Sequence, residues 1–276
     1  MKIEYDGKII TRTEPIRVSE LIEGNKYEYQ AAKVNNRIRE LGYIIDKDCK
    51  VELLSLTDTE AVTIYQSTLR YLVIMAVQRV FPKARVIFNY SVSRSIFASI
   101  SNINHAFLQA DLDKIKEELD KIIAEDLPIK RSSITKEEAN QYYNEIGYKD
   151  KAKILTYRKE ATVHVYECGD YKNYMFGYML PSTGYIKEYR FRLYAPGFII
   201  QYPRAENKGL IPSFVDEKVF QNALREANRW GNITTASYIS QMNEIVEQGK
   251  ALEFINICET RHNNQLAALG ERIARD

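Results

Sequence analysis

The stretch from Thr57 to Pro82, TDTEAVTIYQSTLRYLVIMAVQRVFP, constrains the fold more than any other part of the chain. Ala61, Ile64, Tyr65, Leu69, Leu72, Val73, Ala76, Val77 and Val80 recur at helical intervals, and Thr57 and Glu60 stand at the spacing of a capping box. Phe81-Pro82 stops the pattern, because proline lacks an amide proton and clashes with the turn before it. A helix apolar around most of its circumference has to be covered on nearly every side, so the rest of the chain must wrap it. The longest apolar run, Tyr71 to Val77, lies between Arg70 and Arg79 and is far shorter than the about 20 residues that cross a bilayer. The expectation is a central buried helix with no membrane segment.

Short strands and helices flank it. In the first 56 residues, MKIEYDGKII alternates around Asp6-Gly7, a strong hairpin signal, RVSELI offers a helical turn or two, and QAAKVNNRIRELGYII and KVELLS supply further strands. After the helix come strands at ARVIF and SIFASI, a helix in DLDKIKEELDKIIAEDLP, and another opened by the capping box Thr135 to Glu138 and closed by Gly147. ATVHVYE, YMFGYM, GYIKEYRFRLY and GFIIQY read as strands joined by turns at Gly169-Asp170, Ser182 to Gly184 and Pro196-Gly197. The class is α+β with a mainly antiparallel sheet. Beyond it the tail is helical, and its last helix carries the stripe Ala251, Ile255, Cys258, His262, Leu266, Leu269 and Ile273 to the end of the chain with no proline or capping glycine. Such a face needs a partner, and the expectation is that a further domain follows.

Few residues offer chemistry. A formal net charge of +2 over 276 residues gives no global attraction to nucleic acid, so any such binding needs a local patch. Three well-separated cysteines without a C-x-x-C pair argue against a disulfide framework or a structural zinc and fit a cytoplasmic protein. His164 and Cys168 are four apart, but in a strand that means roughly 13 Å, too far to share a metal. His105 and His262 stand alone. None of the 12 glycines is followed by Lys-Ser or Lys-Thr, so the chain has no Walker-type phosphate loop. Lys33, Asn35, Arg37 and Arg39 on the first unit, and Arg190 and Arg192 interleaved with aromatics, are candidates for RNA contact, with the solvated face of a sheet as the alternative.

Two family resemblances give these pieces an order. AAKVNNRI followed by DCKVELLSLTD is similar to the TGS domain, a β-grasp fold, that opens threonyl-tRNA synthetases. YQSTLRYLVIMAVQRVFPKARV, QADLDKIKEELDKIIAEDLPIKR and ITKEEA resemble the second additional domain of threonyl- and alanyl-tRNA synthetases, which hydrolyses mischarged tRNA. The implied domains are residues 1–56, 57–205 and a helical linker 206–276. Working members carry a His-x-x-x-His pair on the buried helix and a Cys-x-x-x-His pair before a Pro-Asn/Ser-Thr-Gly turn. Here those positions are Ser67, Tyr71, Met175 and Met179. A hydroxyl, a phenol and two thioethers cannot replace imidazoles and a thiolate in holding a metal or activating water. The turn Pro181 to Gly184 is therefore expected to be the shell of an editing site with no metal, in which Tyr71, Tyr178 and Tyr185 line a pocket able to hold a base or nucleotide without catalysis.

MLPSTGYI, APGFIIQYPR, ANRWGNI and the closing IARD also resemble bacterial uridine kinase-like proteins, in which these two domains precede a P-loop phosphotransferase. That resemblance implies a non-catalytic binding or regulatory region of a nucleoside kinase, with ATP and magnesium bound by the kinase domain and no cofactor bound here. Its partners would be tRNA, another RNA or a nucleotide, the kinase domain of the same chain, and a second copy of the chain. The alternatives are a freestanding hydrolase that edits aminoacyl-tRNA and a purely structural or dimerising module.

Overall fold

The structure is a computed structural model and describes residues 1–275. In chain order its elements are β1 (Lys2–Tyr5), β2 (Lys8–Thr11), β3 (Ile16–Arg17), β4 (Tyr29–Val34), β5 (Arg37–Arg39), β6 (Ile44–Ile45), β7 (Cys49–Ser55), α1 (Thr59–Val80), β8 (Arg85–Val92), β9 (Ser95–Ser101), α2 (Gln109–Ala124), β10 (Lys130–Thr135), α3 (Lys136–Glu145), α4 (Lys149–Thr156), β11 (Thr162–Cys168), β12 (Tyr171–Tyr174), β13 (Arg190–Tyr194), β14 (Gly197–Gln201), α5 (Lys218–Ile233), α6 (Ile239–Glu247) and α7 (Ala251–Arg275). Contacts divide the chain into two compact units, residues 1–133 with 164–218 and residues 134–163 with 219–276.

The first unit opens with a five-stranded sheet in the order β2-β1-β7-β4-β5. Asp6 and Gly7 turn the first hairpin and Asn35 and Asn36 the β4–β5 hairpin, all four at positive φ, as two-residue turns matched to strand twist require. β1 runs parallel to β7 while the other neighbours are antiparallel, the crossover topology of a β-grasp fold. A second sheet, β13-β14-β9-β8, is antiparallel throughout, and a third has the order β10-β11-β12. Among the described residues, no helix is long and apolar enough to cross a membrane.

α1 is the centre of this unit. Twelve of its 22 residues are buried, among them Tyr65, Leu69, Tyr71, Leu72 and Val73, and they join one core with residues of the β-grasp sheet and of β9, α2 and β14. The helix starts one residue later than the Thr57 to Glu60 spacing predicts. Asp58 is the N-cap, its carboxylate taking the Ser55 amide at 2.9 Å, while Thr57 bonds the Ser55 hydroxyl at 2.7 Å. The expected capping box at α3 forms, with the Thr135 amide donating to Glu138 at 2.8 Å and the Glu138 amide to Thr135 Oγ1 at 3.2 Å. YMFGYM departs from the strand expected of it. β12 ends at Tyr174, and residues 175–180 run irregularly because Leu180 and Pro181 turn inward to bond α1 and the chain before β10.

The second unit is helical. Arg261 of α7 stacks on Trp230 of α5 at 4.1 Å and pairs with Glu226, while α4 meets α6 through Lys153 with Glu244 and Tyr157 with Glu247. α7 has no buried residue.

Gly197 is where β14 comes closest to its neighbour. A Cβ there would fall against the Ala98 carbonyl of β9, a backbone atom that cannot move aside without breaking the ladder. Gly197→Ala is expected to lower stability by about 3 kcal/mol or more, read as the shift of a denaturant midpoint at unchanged slope.

Candidate functional site

The turn Pro181 to Gly184 is held by hydrogen bonds to α1, to the end of α2 and to the chain just past it. Thr183 Oγ1 donates to the Ile122 carbonyl at 2.6 Å and accepts the Leu127 amide at 2.9 Å, and the Thr183 amide bonds the Leu127 carbonyl at 2.9 Å. The Leu180 amide donates to Thr68 Oγ1 of α1 at 2.9 Å. Asp126, just past α2, collects the Gly184 amide at 3.1 Å, the Tyr27 hydroxyl at 2.8 Å, the Lys26 ammonium at 3.1 Å and the Ser182 hydroxyl. Partial burial raises its pKa, but the bonds from Ser182, Tyr27 and Lys26 win and hold the carboxyl at about 2. Gly184 is required because a Cβ would collide with that carboxylate.

The four positions that resemblance assigns to ligands form no donor set. Tyr71 is fully buried, and its phenol serves the backbone carbonyls of Tyr166 and Tyr171, each at 3.0 Å. Ser67 returns its hydroxyl to the Thr63 carbonyl of its own helix at 2.9 Å. Met179 is in the core, and Met175 packs against it from the irregular segment. These residues do not fit a metal, and among the described residues no three His, Cys, Asp or Glu side chains are grouped to hold one. Cys168 is buried and its thiol pushed up by that burial to about 11, so it is no nucleophile. His105 pairs at 3.0 Å with Asp111, the carboxylate that takes the Leu108 amide at the start of α2.

The pocket expected behind the turn is corrected by the same contacts. Tyr71 cannot line it, because a ring and hydroxyl so fully engaged leave no face for a base. Tyr185 is 4% exposed and meets Tyr27 edge-on at 5.0 Å. Tyr178 is different. It is partly buried, takes Arg39 Nη1 on its hydroxyl at 3.1 Å and lies under the Arg131 guanidinium at 5.4 Å.

That contact leads to a concave basic site on the β-grasp sheet. A pocket of about 390 Å³ is lined by Asn35, Arg37, Arg39, Tyr43 and Lys47, with Asp46 as the opposing charge. Arg39 also stacks over Tyr43 at 4.9 Å, and its Nε is buried without a protein acceptor among the described residues. Of the sequence candidates, Arg37 lies in this pocket, whereas Lys33 pairs with Glu60 at 3.3 Å. Arg190 and Arg192 are exposed on the edge strand β13, with Arg192 over Phe214 at 4.7 Å. Residues 212–215 fold over that face of the sheet, where Gln201 bonds the Pro212 carbonyl at 3.0 Å and Ser93 takes the Val215 amide at 2.7 Å. Sequence reasoning missed Tyr43, Lys47, Arg131 and Phe176, an aromatic 87% exposed two residues before Tyr178. The available signal was Phe176-Gly177, a large ring beside a residue free to turn, which a strand reading conceals.

No protein-family model matches the chain. It is 31% identical over 166 residues to the threonine-tRNA ligase of Desulforamulus reducens, covering 60% of this chain and 26% of that protein. To the threonine-tRNA ligase of Thermotoga petrophila it is 32% identical over 161 residues, 58% of this chain and 25% of the relative. With that of Acetivibrio thermocellus it shares 27% identity over 190 residues, 67% and 30%. The chain is similar to part of a tRNA ligase. The match spans between a quarter and a third of each of these relatives.

These relatives overturn the reading of the chain as a region of a nucleoside kinase. Two of the motifs that suggested one are scaffold: Pro181 to Gly184 ties α1 to α2, and GFIIQ is β14, every residue of it buried. The ATP, magnesium and kinase-domain partner rested on that reading alone.

Two outcomes test this site. Tyr71→Phe, which keeps the ring and strips the donor from two carbonyls, is expected to cost about 1–2 kcal/mol in a denaturant melt. Asp126 has a folded pKa below the ordinary carboxylate value of about 3.9, so its contribution is complete above that value and is lost as the pH falls through about 2. With its side chain 32% exposed, Asp126→Asn is expected to cost only about 1 kcal/mol at pH 7 and to flatten the acid limb of stability against pH.

Proposed function

We propose that this chain is a tRNA-binding region related to tRNA synthetases, gripping the phosphate backbone with the β-grasp pocket. The observation that carries the reading is the pocket of Arg37, Arg39 and Lys47, in which a buried guanidinium nitrogen has no protein acceptor. A phosphate oxygen is the natural acceptor for such a fork, and Tyr43 already holds the guanidinium plane in place. Phe176 and Tyr178 of the loop after β12, with Arg131 of β10 over the Tyr178 ring, add rings and a further cation, the combination that holds unpaired bases. The relatives, named as ligases of tRNA, favour the same class of nucleic acid.

Those relatives also favour a second reading, hydrolysis of mischarged tRNA. It needs a base for water. Asp126, the carboxylate at the turn, is held near pKa 2 by its donors and is a weak base at neutral pH. We therefore favour binding without hydrolysis.

Titration of deacylated tRNA at low salt is expected to give roughly micromolar affinity. Arg37→Ala/Arg39→Ala/Lys47→Ala should weaken it at least about tenfold and lower the slope of log K against log salt by about 2. Arg190→Ala/Arg192→Ala should change it far less, since that strand lies apart from the pocket. Absence of binding, or a triple variant that binds as the parent does, overturns the reading. Faster deacylation of mischarged tRNA by the chain would establish the hydrolase instead.

A further inference from the structure

α7 carries two faces about half a turn apart. One, with Ile257, Arg261, Asn264 and Ala268, faces Glu226 and Trp230 of α5 across a groove. The other is a stripe in which positions three and four apart alternate: Leu252, Ile255, Glu259, His262, Leu266, Leu269 and Ile273. All seven are exposed, Leu252 at 70%, Leu266 at 52% and Ile273 at 68%. This is the seam of a two-stranded coiled coil, apolar at both ends and charged in the middle.

We propose that a second copy of this chain covers the stripe, with the two α7 helices antiparallel. The polar middle selects the occupant and the direction. A parallel pair in register sets Glu259 against Glu259 and His262 against His262. An antiparallel pair centred between Thr260 and Arg261 sets Glu259 of each copy against His262 of the other, so an imidazole N–H donates to a carboxylate twice. In the same register Leu252 meets Leu269 and Ile255 meets Leu266, again twice by symmetry, so every seam position from 252 to 269 has a partner of matching chemistry. Ile273 then falls level with Gln248, next to Val246, which is 64% exposed at the end of α6. A closed two-fold contact of this kind covers the stripe and touches the α5-facing groove at Leu252, which lines both.

Sedimentation of the 276-residue chain between about 1 and about 100 µM should show a monomer–dimer equilibrium. His262→Glu brings four carboxylates together and should weaken the dimer at least about tenfold, with unchanged circular dichroism. Glu259→His should also weaken it. The double exchange Glu259→His/His262→Glu restores both pairs in the antiparallel arrangement and should return the constant to within about threefold of the parent. Leu266→Glu, at an exposed position whose loss leaves the fold intact, should give a monomer. A parent chain that is monomeric throughout overturns the proposal, as does a dimer indifferent to His262→Glu and Leu266→Glu, or a double exchange that fails to rescue.

Discussion

The first unit depends on one constraint: α1 is buried on nearly every side, and the hydroxyls it carries inward have to find partners there. Its answer is to spend three hydroxyls on the backbone of other segments. Tyr65 takes the amides of Lys187 and Glu188 at 3.1 and 3.0 Å and donates to the Glu188 carbonyl at 2.8 Å. Thr68 takes the amide of Leu180, and Tyr71 serves Tyr166 and Tyr171. Irregular backbone can be buried beside the helix because these groups take the place of water. Burial also pushes the Tyr65 phenol up to about 12, so it stays a neutral donor over the whole working range.

The same constraint acts at Ser67, Tyr71, Met175 and Met179. A catalytic site at positions 67, 71, 175 and 179 needs polar groups left available to substrate and water. Here each is committed, to a carbonyl in the case of Ser67 and Tyr71 and to apolar packing in the case of the methionines. The turn beside it has become a brace. Asp126 ties it to Lys26 and Tyr27 of the β-grasp part, and Arg39 reaches across to Tyr178, so the two parts of the first unit meet through charge-assisted bonds as well as the shared core. The loop that left the strand pattern at Met175 is what carries Tyr178 to that junction, with Phe176 exposed two residues before it.

The local rules carried far along the chain. Asp6-Gly7, Asn35-Asn36, Phe81-Pro82 and the pair Thr135 and Glu138 each encode a turn, stop or cap within a few residues, and each is seen where the pattern places it, because those geometries are decided by φ preferences and nearest-neighbour hydrogen bonds. At Thr57 the same logic slipped by one residue, because Asp58 and Thr57 both bond Ser55 and a pattern of spacings does not weigh them.

What the amino-acid sequence determined by itself was therefore the class of the protein: the buried helix, the alternating strands around it, the grasp-like opening and the identities Ser67, Tyr71, Met175 and Met179. Only the tertiary structure decided what took their place. Whether Tyr71 stands open to a ligand or closes on two carbonyls depends on segments about 95 and 100 residues away. Whether Arg37 and Arg39 sit on a flat face or in a pocket depends on Tyr43 and Lys47 across the sheet edge, and the ring that the exposed Arg192 lies over comes from Phe214, 22 residues on. Local sequence sets the geometry of a turn or a helix end, but burial and charge pairing are properties of distant residues meeting, and no spacing along the chain contains them.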